Sequence, residues 1–373
     1  MVRLRVRPQT LYAYVSRGRL RAEPEPADPR RSRYRASDVA ALAERQGRGR
    51  KAADVARAAI AWGEPVLTSA ITTIQDGELF YRGRNVRDLA RVETLESVAR
   101  LLRGGLGDPP SAVQKAPTGR SAKARAFAAL ALRVGSDGPA AGRAAEDLAG
   151  EAAELLDLMA AALLGEEEEG PLHERVGRAW RAPREAWDLL RQALVLLADH
   201  ELNTSAFAAR VAASTGSSLA ASLLAGLSAL SGPRHGGAAE DVEAFAAAVA
   251  KNGPAKAIAA WQALRGYAPG FGHALYPDGD PRAAVLLEAF EAPAPLMAAR
   301  RAVEEETGRL ANIDFALAAL RQALELPAEA PFVLFALARS AGWAAHAMEQ
   351  LESGQLIRPR ARYVGPAPER RGP

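Results

Sequence analysis

The residues D-H-E-L-N-T-S-A-F-A-A-R-V-A-A-S-T-G, 199–216, and G-P-R-H-G-G-A, 232–238, enclose a segment of Ala, Ser, Gly and Leu with no charge between Arg210 and Arg234. A helix that is apolar on all sides is a buried one, so this segment reads as a deeply packed helix or helix pair. His200 and His235 stand at the two breaks in the pattern, where a loop can present each to a cleft. The uncharged run Val211–Pro233 is long enough to raise the question of a membrane span. Its serines and threonine, from Ser214 to Ser231, make it too polar for one, and no membrane partner is expected.

The chain of 373 residues is long enough for about two domains. Ala and Leu dominate and β-branched residues are few, which favours helices. There is no cysteine, so disulfides, thiolate metal sites and cysteine nucleophiles are excluded. The N-terminus M-V-R-L-R-V-R-P lacks the apolar core of a signal peptide, and a cytoplasmic location is expected. Charge is unevenly placed. Residues 1–51 hold 14 Lys and Arg against 5 Asp and Glu, a net +9; the whole chain carries +4, so residues 52–373 carry −5. Any nucleic-acid reading is confined to the first segment.

In chain order, Pro8 opens a short helix over 8–17, residues 20–34 read as a loop or β-wing, and Ser37 and Asp38 cap a helix over 39–45. Residues 46–51 are a basic linker, and 52–62 can be a short helix. Residues 71–81 alternate around Gln-Asp-Gly and predict a hairpin. An amphipathic helix is expected over 86–102, and helices over 122–134 and 140–164. His173 falls in a charged loop. Residues 184–197 lead into His200, and further helices are expected at 205–215, 217–230, 239–251, 254–264, 281–290, 293–307, 311–324 and 331–352. From Ile357 the chain is extended, because Pro359 and Pro366 forbid a helix.

Five histidines occur: His173, His200, His235, His273 and His346. No H-x-x-x-H or E-x-x-H pair appears, so no metal site is expected. His173 and His346 read as structural. The other three stand inside motifs that recur in order: the stretch at 199–238, G-F-G-H-A-L-Y-P-D-G-D-P-R-A from Gly270, N-I-D-F from Asn312, A-R-S-A-G-W-A-A-H from Ala338 and I-R-P-R-A-R-Y-V-G-P from Ile357. With I-T-T-I-Q-D-G-E-L-F-Y-R-G from Ile71, this set resembles the citrate synthase family over residues 66–366. Residues 1–51 resemble part of a winged helix-turn-helix of the excisionase or mercury-regulator type, with too few residues before the first helix to form its scaffold partner.

The resemblance implies an all-α fold of two helical domains around a cleft. The small domain would span 237–326 and the large domain 52–236 and 327–373, after the winged-helix-like segment 1–51. It implies an acyltransferase that condenses acetyl-CoA with oxaloacetate to citrate and then hydrolyses the thioester. Coenzyme A enters as a substrate thioester, and no cofactor is bound permanently. Asp314 would be the base that removes the methyl proton, His235 would support the enolate and His273 would polarise the ketone. His200, Arg282, Arg339 and Arg358 would bind oxaloacetate, Arg358 reaching the partner's site in a homodimer. Physical chemistry agrees with these types. Apolar Ile313 and Phe315 raise a carboxylate's basicity, a neutral imidazole donates without moving a full charge, and an arginine fork grips a carboxylate in two places. By itself Asp314 reads as an acidic residue at a helix start; its spacing to the 338–346 motif overturns that. Two departures, Ala239 where the family often has Asn and Pro277 where it often has Lys or Arg, bear on thioester affinity. Propionyl-CoA, giving 2-methylcitrate, is the alternative substrate. A DNA-binding metabolite sensor on the same fold is the alternative of another class, with DNA held by residues 1–51.

Overall fold

The computed structural model describes residues 22–25, 28–34, 67–107, 114–115, 117–361 and 363–366. The helices expected at 8–17, 39–45 and 52–62 lie outside them. Residues 1–68 and 69–373 are two compact units. In the first, β1 (Ala22–Glu25) pairs antiparallel with β2 (Asp28–Tyr34), a hairpin where a wing was expected.

The second unit opens with a three-stranded antiparallel meander, β3 (Thr72–Gln75), β4 (Glu78–Tyr81) and β5 (Arg84–Asn85). Asp76 and Gly77, both at positive φ, make the tight turn that Gln-Asp-Gly predicted. Among the described residues every named element after it is a helix, with one isolated antiparallel bridge between Phe271 and Ala311. The single helix expected over 86–102 is two, α1 (Val86–Val92) and α2 (Leu95–Leu102). Thr94 causes the break: its hydroxyl accepts from the Ser97 amide while the Ser97 hydroxyl accepts from the Thr94 amide. A serine in place of the usual Glu or Gln hid this capping box in the sequence.

Helix α3 (Ala122–Ser136) packs on α4 (Ala145–Leu164), which starts five residues later than expected, because Ala140 and Ala141 bond to Gly216 O instead of winding into helix. Next come α5 (Leu172–Ala179) and α6 (Trp187–Leu197). His173 therefore lies on a helix, not in a loop. The Ala/Ser/Leu segment is the helix pair α7 (Thr204–Ala213) and α8 (Leu219–Leu230). No helix among the described residues is long and apolar enough to cross a membrane.

After His235 come α9 (Ala238–Asn252), α10 (Pro254–Arg265), α11 (Pro281–Glu288), α12 (Ala294–Thr307), α13 (Ile313–Ala323) and α14 (Ala330–Ser353). Two apolar cores result. One joins the meander with α1–α8, α11 and α14. The other joins α9, α10 and α12 around Val242, Phe245, Phe271 and Val303. Helix α13 belongs to both: Ile313, Leu317 and Leu320 face the first core, and Phe315 and Ala319 the second. Asp314 thus stands at the seam between them.

Helix α14 is buried on every side for most of its length, which its small residues allow. Gly226 of α8 faces the Trp343 ring so closely that a Cβ there would lie 2.7 Å from it. Gly342 lies under the end of α6 and donates its amide to Ala198 O at 3.2 Å. A Cβ on Gly342 would lie 2.6 Å from Ala198 O and closer still to Asp199 Oδ1. Gly342→Ala should cost about 2–3 kcal/mol of stability, as overpacking against backbone does. Urea denaturation measures it, and a loss below about 0.5 kcal/mol would mean that α14 can shift freely.

Candidate active site

The cleft is built where three loops meet the start of α13. His200 follows Asp199 in the turn between α6 and α7. That turn is tied down by Tyr81, whose hydroxyl donates to Asp199 O at 2.9 Å and accepts from the Asp199 amide at 3.1 Å. The Asp199 carboxylate accepts from Thr72 Oγ1 at 2.6 Å and from His346 Nε2 at 3.2 Å. Arg210 Nη1 lies 3.4 Å from His346 Nδ1 and 2.5 Å from Glu349. Burial alone would raise the pKa of Asp199; the pull of His346 and Arg339 and the Thr72 bond outweigh it and hold the group below its usual value. On the other side Glu201 is held at φ 52, a left-handed conformation that costs a non-glycine residue about 1 kcal/mol or more. His346, read as structural, is the fully buried brace behind His200.

Asp280 and Asn312 set the second wall. Asp280 caps α11: Oδ1 accepts from the Arg282 amide and Nε, and Oδ2 from Arg282 Nη2 at 2.8 Å. Oδ2 also accepts from the Ile313 amide at 3.1 Å. Asn312 caps α13 by accepting from the Asp314 amide, and its Nδ2 donates to Gly272 O at 3.0 Å. The amides of Asn312 and Gly272 bond to Gly270 O and Leu310 O. This cross-bonding puts the His273 loop beside Asp314. His273 Nδ1 accepts from the Leu275 amide at 3.2 Å, so a neutral ring carries its proton on Nε2.

His200 and His273 are edge to face with centroids 5.0 Å apart. His235 lies beyond, its Nε2 2.9 Å from Ser205 Oγ and its ring on Phe335. All three imidazoles are kept neutral. Burial is the main cause, and the Arg282 and Arg339 charges add to it: His235 falls to about 3, His273 to about 4 with Arg282 alone assisting, and His200 well below its usual value. Asp314 moves the other way. Burial, aided by the Asp280 charge, pushes it up to about 7 against the opposing pull of Arg282 and Arg339. Its Oδ1 is buried with no hydrogen-bond partner. Arg339 is 1% exposed, donates through Nε to Leu197 O at 2.9 Å and stacks over Phe335, yet its Nη2 has no partner. Burial lowers it to about 10, so it stays charged.

The structure therefore brings together His200, His235, His273, Arg282, Arg339 and Asp314. It does not bring in Arg358, which is exposed on the extended segment after α14. Asp199, Ser205, Tyr276, Asp280 and Asn312 also belong to the site. They stand inside the quoted motifs, Asn312 in that of Asp314 and the others in those of the histidines, but nothing in their residue types singled them out. Among the described residues no cluster of His, Asp and Glu is arranged to hold a metal. Pro277 is exposed and Ala239 is buried in the first turn of α9. A surface cavity of about 570 Å³ between α3 and α4, lined by Arg133, Arg143 and Glu151 among others, contains none of these residues.

Residues 121–360 match the family model of the citrate synthase C-terminal domain. Citrate synthase 2 of Bacillus subtilis is 36% identical over 190 residues, which are 48% of this chain and 51% of that protein. The chain spans about half the length of the curated relatives it matches. The crystal structure of citrate synthase from Thermotoga maritima superposes with a TM-score of 0.67 at 27% identity, over 83% of this chain and 96% of that one. A ternary complex of carboxymethyl coenzyme A and oxaloacetate with the Thermoplasma acidophilum enzyme gives 0.63 at 25%, over the same shares.

The raised pKa of Asp314 has a consequence for stability. The unfolded chain ionises this group near 3.8 and the folded protein only near 7. Stability therefore falls as pH rises between those values, because the unfolded state gives up the proton first. Asp314→Asn removes that loss. The variant should exceed the native protein by roughly 1–4 kcal/mol at pH 8, with the gap closing by about pH 4. Chemical denaturation across that range measures it, and a gap independent of pH would refute the raised pKa.

Proposed function

The chain belongs to the citrate synthase family, and from that premise we propose that it condenses acetyl-CoA with oxaloacetate to citrate and free coenzyme A. The observation that carries this is a buried carboxylate raised to about 7, with an unpartnered oxygen, beside three imidazoles held neutral. In the proposed reaction Asp314 takes a proton from the thioester methyl group. His235 donates to the enolate oxygen as it forms. Ser205 Oγ donates to Asn203 Oδ1 at 2.7 Å and lies 2.9 Å from His235 Nε2; in the proposed reaction the hydroxyl turns its one proton to His235 Nε2 instead, while Asn203 Oδ1 keeps the amides of Ser205 and Ala206. That leaves the His235 proton on Nδ1 for the substrate. His273 donates through Nε2 to the oxaloacetate ketone, and the enol carbon attacks it. Water then hydrolyses the citryl thioester.

Oxaloacetate carries two carboxylates. In this reading Arg282, Arg339 and His200 hold them from one chain, and Arg358 of the partner subunit completes the site in a homodimer. The unpartnered Nη2 of Arg339 supports an anionic ligand, since a buried guanidinium donor without an acceptor is costly. We also retain a small domain at 237–326 between large-domain segments 52–236 and 327–373. The second apolar core, Val242 to Ala319, supports that division.

Purified protein given acetyl-CoA and oxaloacetate should release thiol, with the rate rising through about pH 7 as Asp314 loses its proton. Asp314→Asn should lower turnover ~10²–10⁴-fold. Arg358→Leu should weaken oxaloacetate binding, and exchange of subunits between these two variants should restore activity, because one site of each mixed dimer has neither defect. No thiol from acetyl-CoA but thiol from propionyl-CoA would make the protein a 2-methylcitrate synthase. Oxaloacetate binding with no thiol from either would make it a metabolite sensor.

Residues 1–51 carry a separate proposal, a nucleic-acid-binding module, supported by its net +9 and by the β1–β2 hairpin. Affinity for duplex DNA should fall steeply with salt, as phosphate contacts require. Binding that ignores salt, or none, would leave this segment a vestige or a protein contact.

A further inference from the structure

Tyr276 is carried on the same turn as His273, its amide donating to His273 O at 3.0 Å. It is 2% exposed. Its hydroxyl reaches across the cleft to His200 Nε2 at 2.9 Å, which is its one hydrogen bond among the described residues. The rings of His200, His273 and Tyr276 form a triangle with centroids 5.0, 5.5 and 5.0 Å apart. The Arg282 guanidinium lies over the tyrosine ring at 5.7 Å and is committed to Asp280, so it does not engage the hydroxyl oxygen.

The direction of that hydrogen bond follows from what a buried phenol needs. Burial pushes the Tyr276 hydroxyl well above its usual pKa, so it keeps its proton. A buried O–H without an acceptor costs about 1–3 kcal/mol. The neutral imidazole offers one acceptor nitrogen and one donor. If His200 donated from Nε2, the phenol proton would have no described acceptor. If the phenol donates, both groups are satisfied and the His200 proton is forced onto Nδ1.

We propose that Tyr276 is the positioning residue for His200: its hydroxyl donates to Nε2, fixes the imidazole as the Nδ1–H tautomer, and so aims a single N–H donor for the 2-oxo dicarboxylate substrate. The substrate class rests on the function proposed above; the tautomer does not. Tyr276 sits on the loop that bears His273, whereas His200 sits on the turn braced by Tyr81 and His346. The bond thus ties together the two imidazoles that would grip opposite parts of one small substrate.

The test is Tyr276→Phe, which keeps the ring and removes the donor. In the substrate-free native protein, ¹⁵N shifts should report His200 as the Nδ1–H tautomer, and in the variant as a mixture of the two. The KM for oxaloacetate should rise about tenfold, the worth of one lost hydrogen bond, with kcat changed less than about twofold. In a His200→Gln background, Tyr276→Phe should add nothing further. A native Nε2–H tautomer, unchanged shifts in the variant, or a fall in kcat at constant KM would each overturn the proposal. So would additive effects in the double variant. Thermal melting shows whether the variant is folded; if it is not, the native spectrum alone decides. That spectrum needs no turnover, so a protein that failed to release thiol would sink the proposed reaction and leave the tautomer question answered.

Discussion

One carboxylate oxygen holds the chemical side of the cleft together. Asp280 Oδ2 accepts from Arg282 Nη2 and from the Ile313 amide, which joins the start of α11 to the start of α13. Asp280 is 4% exposed and Arg282 3%. Two such charges are tolerable out of water only because they are paired in a fork and their remaining lone pairs are used. Burial would raise the Asp280 pKa; the paired guanidinium overrides that and keeps it ionised. One helical position beyond Ile313, burial is what raises the Asp314 pKa; of the ion pair beside it, Arg282 pulls that pKa down more than Asp280 pushes it up.

The same arrangement explains the contrast between the two signs of charge in the cleft. Arg282 and Arg339 are buried and charged; desolvation suppresses protonation of His200, His235 and His273, Arg282 adds to it at all three and Arg339 at His200 and His235. Neutral imidazoles beside fixed cations form a site with positive potential and no mobile positive charge. In the proposed reaction, negative charge developing on a substrate oxygen would meet donors that are already oriented. Within the site, Oδ1 of Asp314, Nη2 of Arg339 and Oδ1 of Asp199 are buried polar atoms without a hydrogen-bond partner.

On the other wall the brace is larger and lies further from the reacting atoms. Thr72, Tyr81, Asp199, His346, Arg210 and Glu349 form one connected network. It joins the opening meander to the central helix α14, and its product is a rigid backbone at Asp199 and Glu201. Strain at Glu201 persists because the turn is held from both sides. Tyr276 adds a side-chain restraint on His200 to that backbone restraint.

The amino-acid sequence by itself determined the helical class, the turn at Asp76–Gly77 and the paired helices of the 199–238 stretch. These depend on neighbours in the chain: Ala and Leu at helical spacing, a turn dipeptide, small residues in a row. It also determined which histidines, arginines and aspartate stand in motifs, and six of those seven residues meet in one cleft. The local exceptions had local causes that residue type did not reveal, such as the Thr94–Ser97 cap that splits one expected helix in two. Tertiary structure alone decided the rest. The pKa of Asp314, the tautomer of His273 and the partners of Asp199 depend on burial and on groups brought in by folding. Thr72 and His346 reach Asp199 from 127 and 147 residues away. The exposed position of Arg358 is likewise a property of the folded chain, because only folding decides which surfaces remain open.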